Sequence, residues 1–162
     1  ITDAGFNVIS VDFTKRYQEA MDDIVRVAQQ NPMAIIGGIS SGAFLAHQVA
    51  NKLSRPAVLI APVLAPYSRH SSLPVEHQNL QLAFFDDMDS MMQAEMKVGQ
   101  PNAERLVIFD SRDERAPSAS FEGWPFSEYI LITEGPAKDA HLNLCKNPPV
   151  DKIIKFLRAL AK

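Results

Sequence analysis

Residues 33–47 read MAIIGGISSGAFLAH. The apolar run breaks on glycine and then takes up an amphipathic pattern, which predicts a strand, a sharp turn and a helix. Gly38, Ser40 and Gly42 fit the spacing G-x-S-x-G, in which a serine sits at a strained turn with its hydroxyl above the carboxyl edge of a parallel sheet. Ser40 is therefore the candidate nucleophile.

The residues around Ser40 support this interpretation. Glycines are needed beside such a turn because a side chain would collide with the adjoining strand or helix. Ser41 is the alternative nucleophile, but only Ser40 has glycine both two residues before it and two residues after it. A phosphate-binding loop is a weaker alternative, because neither G-x-G-x-x-G nor G-x-x-x-x-G-K-[ST] is present.

The composition is that of a single globular domain. Of 162 residues, 46% are hydrophobic and 22% are charged, which is enough apolar content for a buried core. A net charge of -3 gives no basic footprint for nucleic acid, and no signal peptide or apolar run of membrane length is visible. The single cysteine, Cys145, favours a reducing, cytoplasmic location. We therefore expect a soluble enzyme with no nucleic-acid or membrane partner.

Strand and helix patterns alternate along the chain. Besides the strand before Ser40, we predict strands at residues 6–13, 57–61, 105–110 and 127–133, and helices at 17–30, 44–53 and 150–160. Residues 62–74 are predicted to be an irregular loop and residues 75–98 to be helical, with a methionine and phenylalanine face. Such alternation predicts one three-layer α/β/α domain over residues 1–162, with a mostly parallel sheet of at least five strands.

An acid and a histidine follow the last two predicted strands. Asp113 comes just after the strand at 105–110, and His141 lies in a predicted loop at 134–149. Ligands bind at the carboxyl ends of parallel strands, so both side chains are expected near Ser40. A serine hydroxyl needs a base such as imidazole, and a carboxylate orients that imidazole. Asp110 is the alternative acid, although the proline four residues after Asp113 favours Asp113.

These motifs together resemble those of the α/β-hydrolase superfamily, and most of all its short bacterial esterase-like members without a large cap domain. The sequence at 38–42 matches the family's nucleophile elbow, 113–117 resembles its D-x-x-[VT]-P motif, and 140–142 resembles its histidine loop. The resemblance implies Ser40 as nucleophile, Asp113 as the orienting acid, His141 as base, and the Ser41 amide as one oxyanion donor.

The function implied is hydrolysis of a small carboxylic ester or thioester through an acyl-serine intermediate, with no cofactor. A non-catalytic hydrolase-like binding module and a flavodoxin-like small-molecule binder are the alternatives. The four histidines lack the spacing of a metal site. Of the three besides His141, His47 is predicted to pack or to lie on the surface, and His70 and His77 to face solvent.

The front of the chain departs from the family pattern. The family has a strand ending in His-Gly that supplies a second oxyanion amide, and nothing here matches it. Either such a strand precedes Ile1, or the first predicted strand pairs directly with the strand before Ser40. We expect the second donor to come from the preceding segment or, if none exists, from the loop at 14–16.

Overall fold

A parallel sheet forms the centre of the molecule. The computed structural model describes residues 1–11, 17–62, 103–113, 128–133 and 139–161. Within these ranges four strands pair in the order β1-β2-β3-β4, all parallel. The strands are β1 (Ile36–Ile39), β2 (Ala57–Ile60), β3 (Arg105–Asp110) and β4 (Glu128–Ile132).

Helices flank the sheet. In the part of the chain that the structure describes, a short 3-10 helix, Thr2–Ala4, precedes four α-helices: α1 (Tyr17–Gln30), α2 (Ser41–Leu53), α3 (Ala140–Lys146) and α4 (Val150–Leu160). None of the helices in the described ranges has the length and apolar content that crossing a membrane requires.

Two apolar layers lie on opposite faces of the sheet. Strands β2 and β3 are buried along their whole length, and their side chains alternate between the faces. Leu59 and Val107 pack in one layer with α1 and α2. Val58 and Leu106 pack in the other layer with α3 and α4. The predicted three-layer α/β/α architecture is therefore confirmed.

Parallel pairing aligns the carboxyl ends of the strands. Ile39 pairs with Ile60, and Ile60 pairs with Ile108. The amide of Ser40 extends this ladder by donating to the carbonyl of Ile60 at 2.9 Å. The segments that leave β1 and β3 therefore start close together at one edge of the sheet, as the sequence predicted.

The opposite, amino edge of the sheet contains a buried arginine. Arg105 begins β3 and is only 1% exposed. Its Nη1 donates to the carbonyls of Arg55, Ala103 and Glu104 at 2.6, 3.0 and 3.0 Å. Its Nη2 donates to Asn51 Oδ1 at 2.7 Å. These hydrogen bonds compensate for the cost of burying the charged guanidinium. They also join the end of α2 to the starts of β2 and β3.

Asn51 links this arginine to His47. Because Arg105 binds the amide oxygen of Asn51, the amide nitrogen faces the imidazole and donates to His47 Nε2 at 3.1 Å. To accept this bond, His47 Nε2 must present a lone pair, so His47 is neutral. Burial, with a smaller effect of the Arg105 charge, lowers the pKa of His47 to about 3. Of the two roles predicted for His47, the structure shows the packing one.

The first predicted strand is wrong within the described part of the chain. Residues 6–11 form neither strand nor helix, although they are rich in β-branched side chains. A strand needs a neighbour for its backbone groups, and the paired neighbour of β1 in the described sheet is β2. Phe6 packs instead against the layer of α3 and α4, while Val8 and Ile9 are exposed. The described sheet thus has four strands, where at least five were predicted.

The predicted loop at 134–149 contains helix α3. Ala140, His141 and Leu144 share its buried face, and this spacing of one helical turn explains why the segment is helical. Several other predictions lie outside the described residues. They concern the donor loop at 14–16, residues 63–74 of the irregular loop, the helix at 75–98, His70, His77 and positions 114–117.

The depressed pKa of His47 predicts a pH-dependent stability. The unfolded chain binds a proton at His47 below pH about 6.5, whereas the folded chain binds it only near pH 3. We therefore expect the free energy of unfolding to fall as the pH drops through this window, by up to about 1.4 kcal/mol per pH unit. Urea unfolding between pH 4 and 7 measures the slope. His47→Gln should lose this part of it, and an unchanged slope in that variant would contradict the assignment.

Candidate active site

Ser40 lies at a tight turn between β1 and α2. Its backbone has φ 56° and ψ -125°, a left-handed value of φ that a residue with a side chain adopts only under strain. The amide of Ala43 donates to the carbonyl of Ser40 at 3.0 Å, which starts the helix immediately after the turn. The strand, sharp turn and helix predicted from the sequence are therefore present.

Gly38 explains how the strand and the helix come so close together. A β-carbon at Gly38 would lie 2.1 Å from the carbonyl oxygen of Gly42 and 2.7 Å from the Cα of Ala43. Both contacts are with backbone, which cannot move aside as a flexible side chain could. The neighbouring Gly37 differs, since a β-carbon there would lie 3.9 Å from the carbonyl oxygen of Val58, an ordinary contact.

Ser40, His141 and Asp113 form one hydrogen-bonded chain. The distance from Ser40 Oγ to His141 Nε2 is 2.9 Å, and His141 Nδ1 lies 2.6 Å from Asp113 Oδ2. A carboxylate can only accept, so Nδ1 carries the proton and Nε2 of the neutral ring accepts from the serine hydroxyl. The structure thus brings together the three residues that the sequence singled out.

The three side chains come from three separate connections. Ser40 follows β1, Asp113 follows β3, and His141 lies in the first turn of α3. Asp139 precedes that turn with φ 58°, a left-handed conformation that aspartate tolerates better than most residues. Asp113 and His141 are buried, whereas Ser40 is half-buried. The serine end of the hydrogen-bonded chain is therefore the end that a ligand can reach.

Comparison with known proteins gives a structural match. No family model and no curated protein matches the sequence. A monoacylglycerol lipase from Paleococcus ferrophilus matches with a TM-score of 0.63 and 14% identity, over 91% of this chain and 77% of that one. A Pyrococcus furiosus esterase matches with a TM-score of 0.60 and 17% identity, over 98% and 71%. The chain has the α/β-hydrolase fold.

A third solved structure also matches. Est1E from Butyrivibrio proteoclasticus, in complex with ferulic acid, matches with a TM-score of 0.58 and 12% identity, over 91% of this chain and 68% of that one. The TM-scores of these three matches establish a shared fold, and identities this low establish nothing beyond it.

Within the α/β-hydrolase fold, Ser41 is the first residue of α2. As the first residue, Ser41 has no carbonyl one turn earlier in the helix to which its amide could donate, so this amide is available to an anion beside Ser40. His141 Nε2 accepts its hydrogen bond from Ser40 and not from Ser41, so the geometry favours Ser40 over the alternative nucleophile.

Asp110 has a different partner from Asp113. Its Oδ2 accepts from Arg112 Nη2 at 2.6 Å, and its Oδ1 accepts from Arg112 Nε at 2.8 Å. Hydrogen bonds from the Arg112 side chain hold the pKa of the Asp110 carboxyl below its usual value. The alternative acid is thus engaged elsewhere, while Asp113 contacts the imidazole. The sequence analysis did not identify Arg112 as part of the site. Its position two residues after Asp110 was the available sign that the two side chains could pair.

The described residues contain no group of three or more histidine, cysteine, aspartate or glutamate side chains that could hold a metal ion. Cys145, four residues after His141, is partly buried.

The two adjacent glycines of β1 provide a matched pair of variants. Gly38→Ala should separate β1 from α2, lower the free energy of unfolding by about 1–3 kcal/mol and displace Ser40. We expect a loss of reactivity at Ser40 of about 100-fold or more, because misplacement by about 1 Å has effects of this size. Gly37→Ala should remain close to wild type. Thermal unfolding measures the change in stability, and labelling of Ser40 by a fluorophosphonate probe measures the change in reactivity. Equal behaviour of Gly38→Ala and Gly37→Ala would contradict this explanation.

Proposed function

We propose that the protein is a serine hydrolase that cleaves a small carboxylic ester or thioester. The observation that carries this proposal is the hydrogen-bonded chain from Ser40 through His141 to Asp113 at the carboxyl edge of the sheet. A flavodoxin-like binder gives no reason for such a chain, and a non-catalytic module gives no reason for its alignment. The fold shared with a lipase and an esterase supports the same class of reaction.

In the first half of the proposed reaction, Ser40 Oγ attacks the carbonyl carbon of the substrate. His141 Nε2 takes the hydroxyl proton as the new carbon–oxygen bond forms. Asp113 accepts from Nδ1 throughout and so stabilises the charged imidazolium. The bond to the leaving group then breaks, His141 returns the proton to the departing alcohol or thiol, and the acyl group stays on Ser40.

In the second half, water replaces the leaving group. His141 takes a proton from the water as its oxygen attacks the acyl-serine carbonyl, and it returns that proton to Ser40 Oγ when the acyl bond breaks. The products are a carboxylic acid and the free serine. No redox step or cofactor enters this balance.

The negative charge that develops on the carbonyl oxygen needs hydrogen-bond donors. The Ser41 amide is the proposed first donor, because it lies at the N-terminus of α2 directly after the nucleophile. Loss of one such donor typically lowers the rate by about 10²- to 10³-fold, so a second amide is an expected part of the complete site.

We also propose that residues 1–162 belong to one hydrolase domain. Both apolar layers contain residues from the front and the back of the chain: Phe6 packs with α3 and α4, and Phe109 packs with α1 and α2. A cytoplasmic location stays a prediction from the single cysteine.

A fluorophosphonate probe tests the nucleophile. It should label the folded wild-type chain at Ser40, because only an activated hydroxyl attacks its phosphorus. Ser40→Ala should abolish labelling, His141→Asn should reduce it by about 10²-fold or more, and Ser41→Ala should preserve it because that change leaves the amide in place. A folded wild-type chain that stays unlabelled would refute the proposal. A series of esters and thioesters of increasing acyl length would then define the substrate.

A further inference from the structure

The turn from Asp110 to Asp113 contains interactions outside the hydrogen-bonded chain of the site. Asp110 ends β3 and is buried. Its carbonyl accepts from the amide of Asp113 at 3.0 Å, which closes a four-residue turn. Its Oδ1 accepts from the amide of Arg112 at 2.9 Å. The main chain and the side chain of Asp110 therefore both bind the turn that presents Asp113.

The Arg112 side chain folds back onto the same carboxylate. Nε contacts Oδ1 and Nη2 contacts Oδ2, so the planar guanidinium binds both oxygens of Asp110 at once. This two-point geometry fixes orientation as well as distance. The Asp110 side chain is 5% exposed and that of Arg112 is 23% exposed, so the pair is better shielded than an ordinary surface ion pair.

The turn is also fixed from the side of β4. The Ser111 amide donates to the carbonyl of Ile132, the last residue of β4, at 3.0 Å. Asp113 then reaches His141 with an oxygen-to-nitrogen distance of 2.6 Å. A contact this short tolerates little displacement of the turn.

We infer that Asp110 and Arg112 are positioning residues, whose ion pair holds the turn in the shape that places the Asp113 carboxylate against His141. They act through Asp113. The ion pair joins residues two positions apart in the sequence and connects no distant parts of the fold, so its loss should loosen the turn without unfolding the core. This inference rests on the proposed function, in which Asp113 orients the base.

Substitutions at Arg112 and Asp110 provide a graded test. Arg112→Ala removes the two-point contact, and kcat for hydrolysis of p-nitrophenyl acetate, used as a probe ester, should fall about tenfold or more with little change in KM. Arg112→Lys keeps the positive charge but cannot bind both carboxylate oxygens in a plane, and Asp110→Asn keeps an oxygen for the Arg112 amide. The kcat of each should therefore lie between those of the wild type and Arg112→Ala. Arg26→Ala is the matched control, because it removes the exposed pair between Arg26 and Asp23 on α1. Its kcat should equal that of the wild type.

A spectroscopic measurement separates positioning from general stability. The Nδ1 proton of His141, held in a short hydrogen bond to Asp113, should give a far-downfield proton resonance that His141→Asn removes. The resonance should shift or broaden in Arg112→Ala and stay unchanged in Arg26→Ala. If Arg112→Ala does not fold, Arg112→Lys decides the question by the same two measurements.

The outcomes distinguish this inference from the proposed function. Wild-type kcat together with an unshifted resonance in Arg112→Ala, or in Arg112→Lys where the alanine variant does not fold, would overturn the positioning role and leave the hydrolase proposal intact. A wild-type chain that the fluorophosphonate does not label would overturn the hydrolase proposal. The resonance would still report whether the ion pair holds Asp113 against His141.

Discussion

The contact between Gly38 in β1 and Gly42 in α2 is the constraint on which the rest of the molecule depends. Because Gly38 has no side chain, helix α2 can lie close against the sheet. Eight consecutive residues of α2, from Ala43 to Ala50, are buried there. The same closeness forces Ser40 into a left-handed conformation at the end of the strand. The missing side chain at Gly38 thus allows both the packing of α2 in a core layer and the placement of the Ser40 hydroxyl at the edge of the sheet.

The two edges of the sheet contain different kinds of interaction. At the amino edge, the buried guanidinium of Arg105 binds three carbonyls and an amide oxygen, which holds helix and strands together. At the carboxyl edge, side chains from separate connections meet at Ser40. His47 and His141 illustrate the difference. His47 contacts an amide and its buried ring is held neutral, whereas His141 contacts a carboxylate that can stabilise a positive charge. Burial with a neutral partner gives a packing residue, and burial with an acid gives a candidate base.

Much of this arrangement could be predicted because it is local or follows from strand order. The helices 17–30 and 150–160 and the strand 105–110 match the predicted bounds, since apolar periodicity fixes them. The choice of Asp113 over Asp110 agrees with the geometry. The predicted strand at 6–13 failed over residues 6–11 because β-branched composition describes a preference, while a strand also needs a partner. The burial of Arg105 depends on contacts with Arg55 and Asn51, far away in the sequence, which no local pattern reveals. The two-point contact of Arg112 with Asp110 is local, but a spacing of two residues does not by itself indicate it.

The hydrogen bonds of the site span very different lengths of chain. Asp113 and His141 are 28 positions apart, whereas Ser40 and His141 are 101 positions apart. Closing a loop of 101 residues costs more conformational entropy than closing one of 28, so the contact between Ser40 and His141 depends more on the docking of the strands that lie between them. An incompletely folded chain would therefore hold its serine away from any base. Under the proposed function, reactivity at Ser40 would therefore be a property of the fully folded molecule.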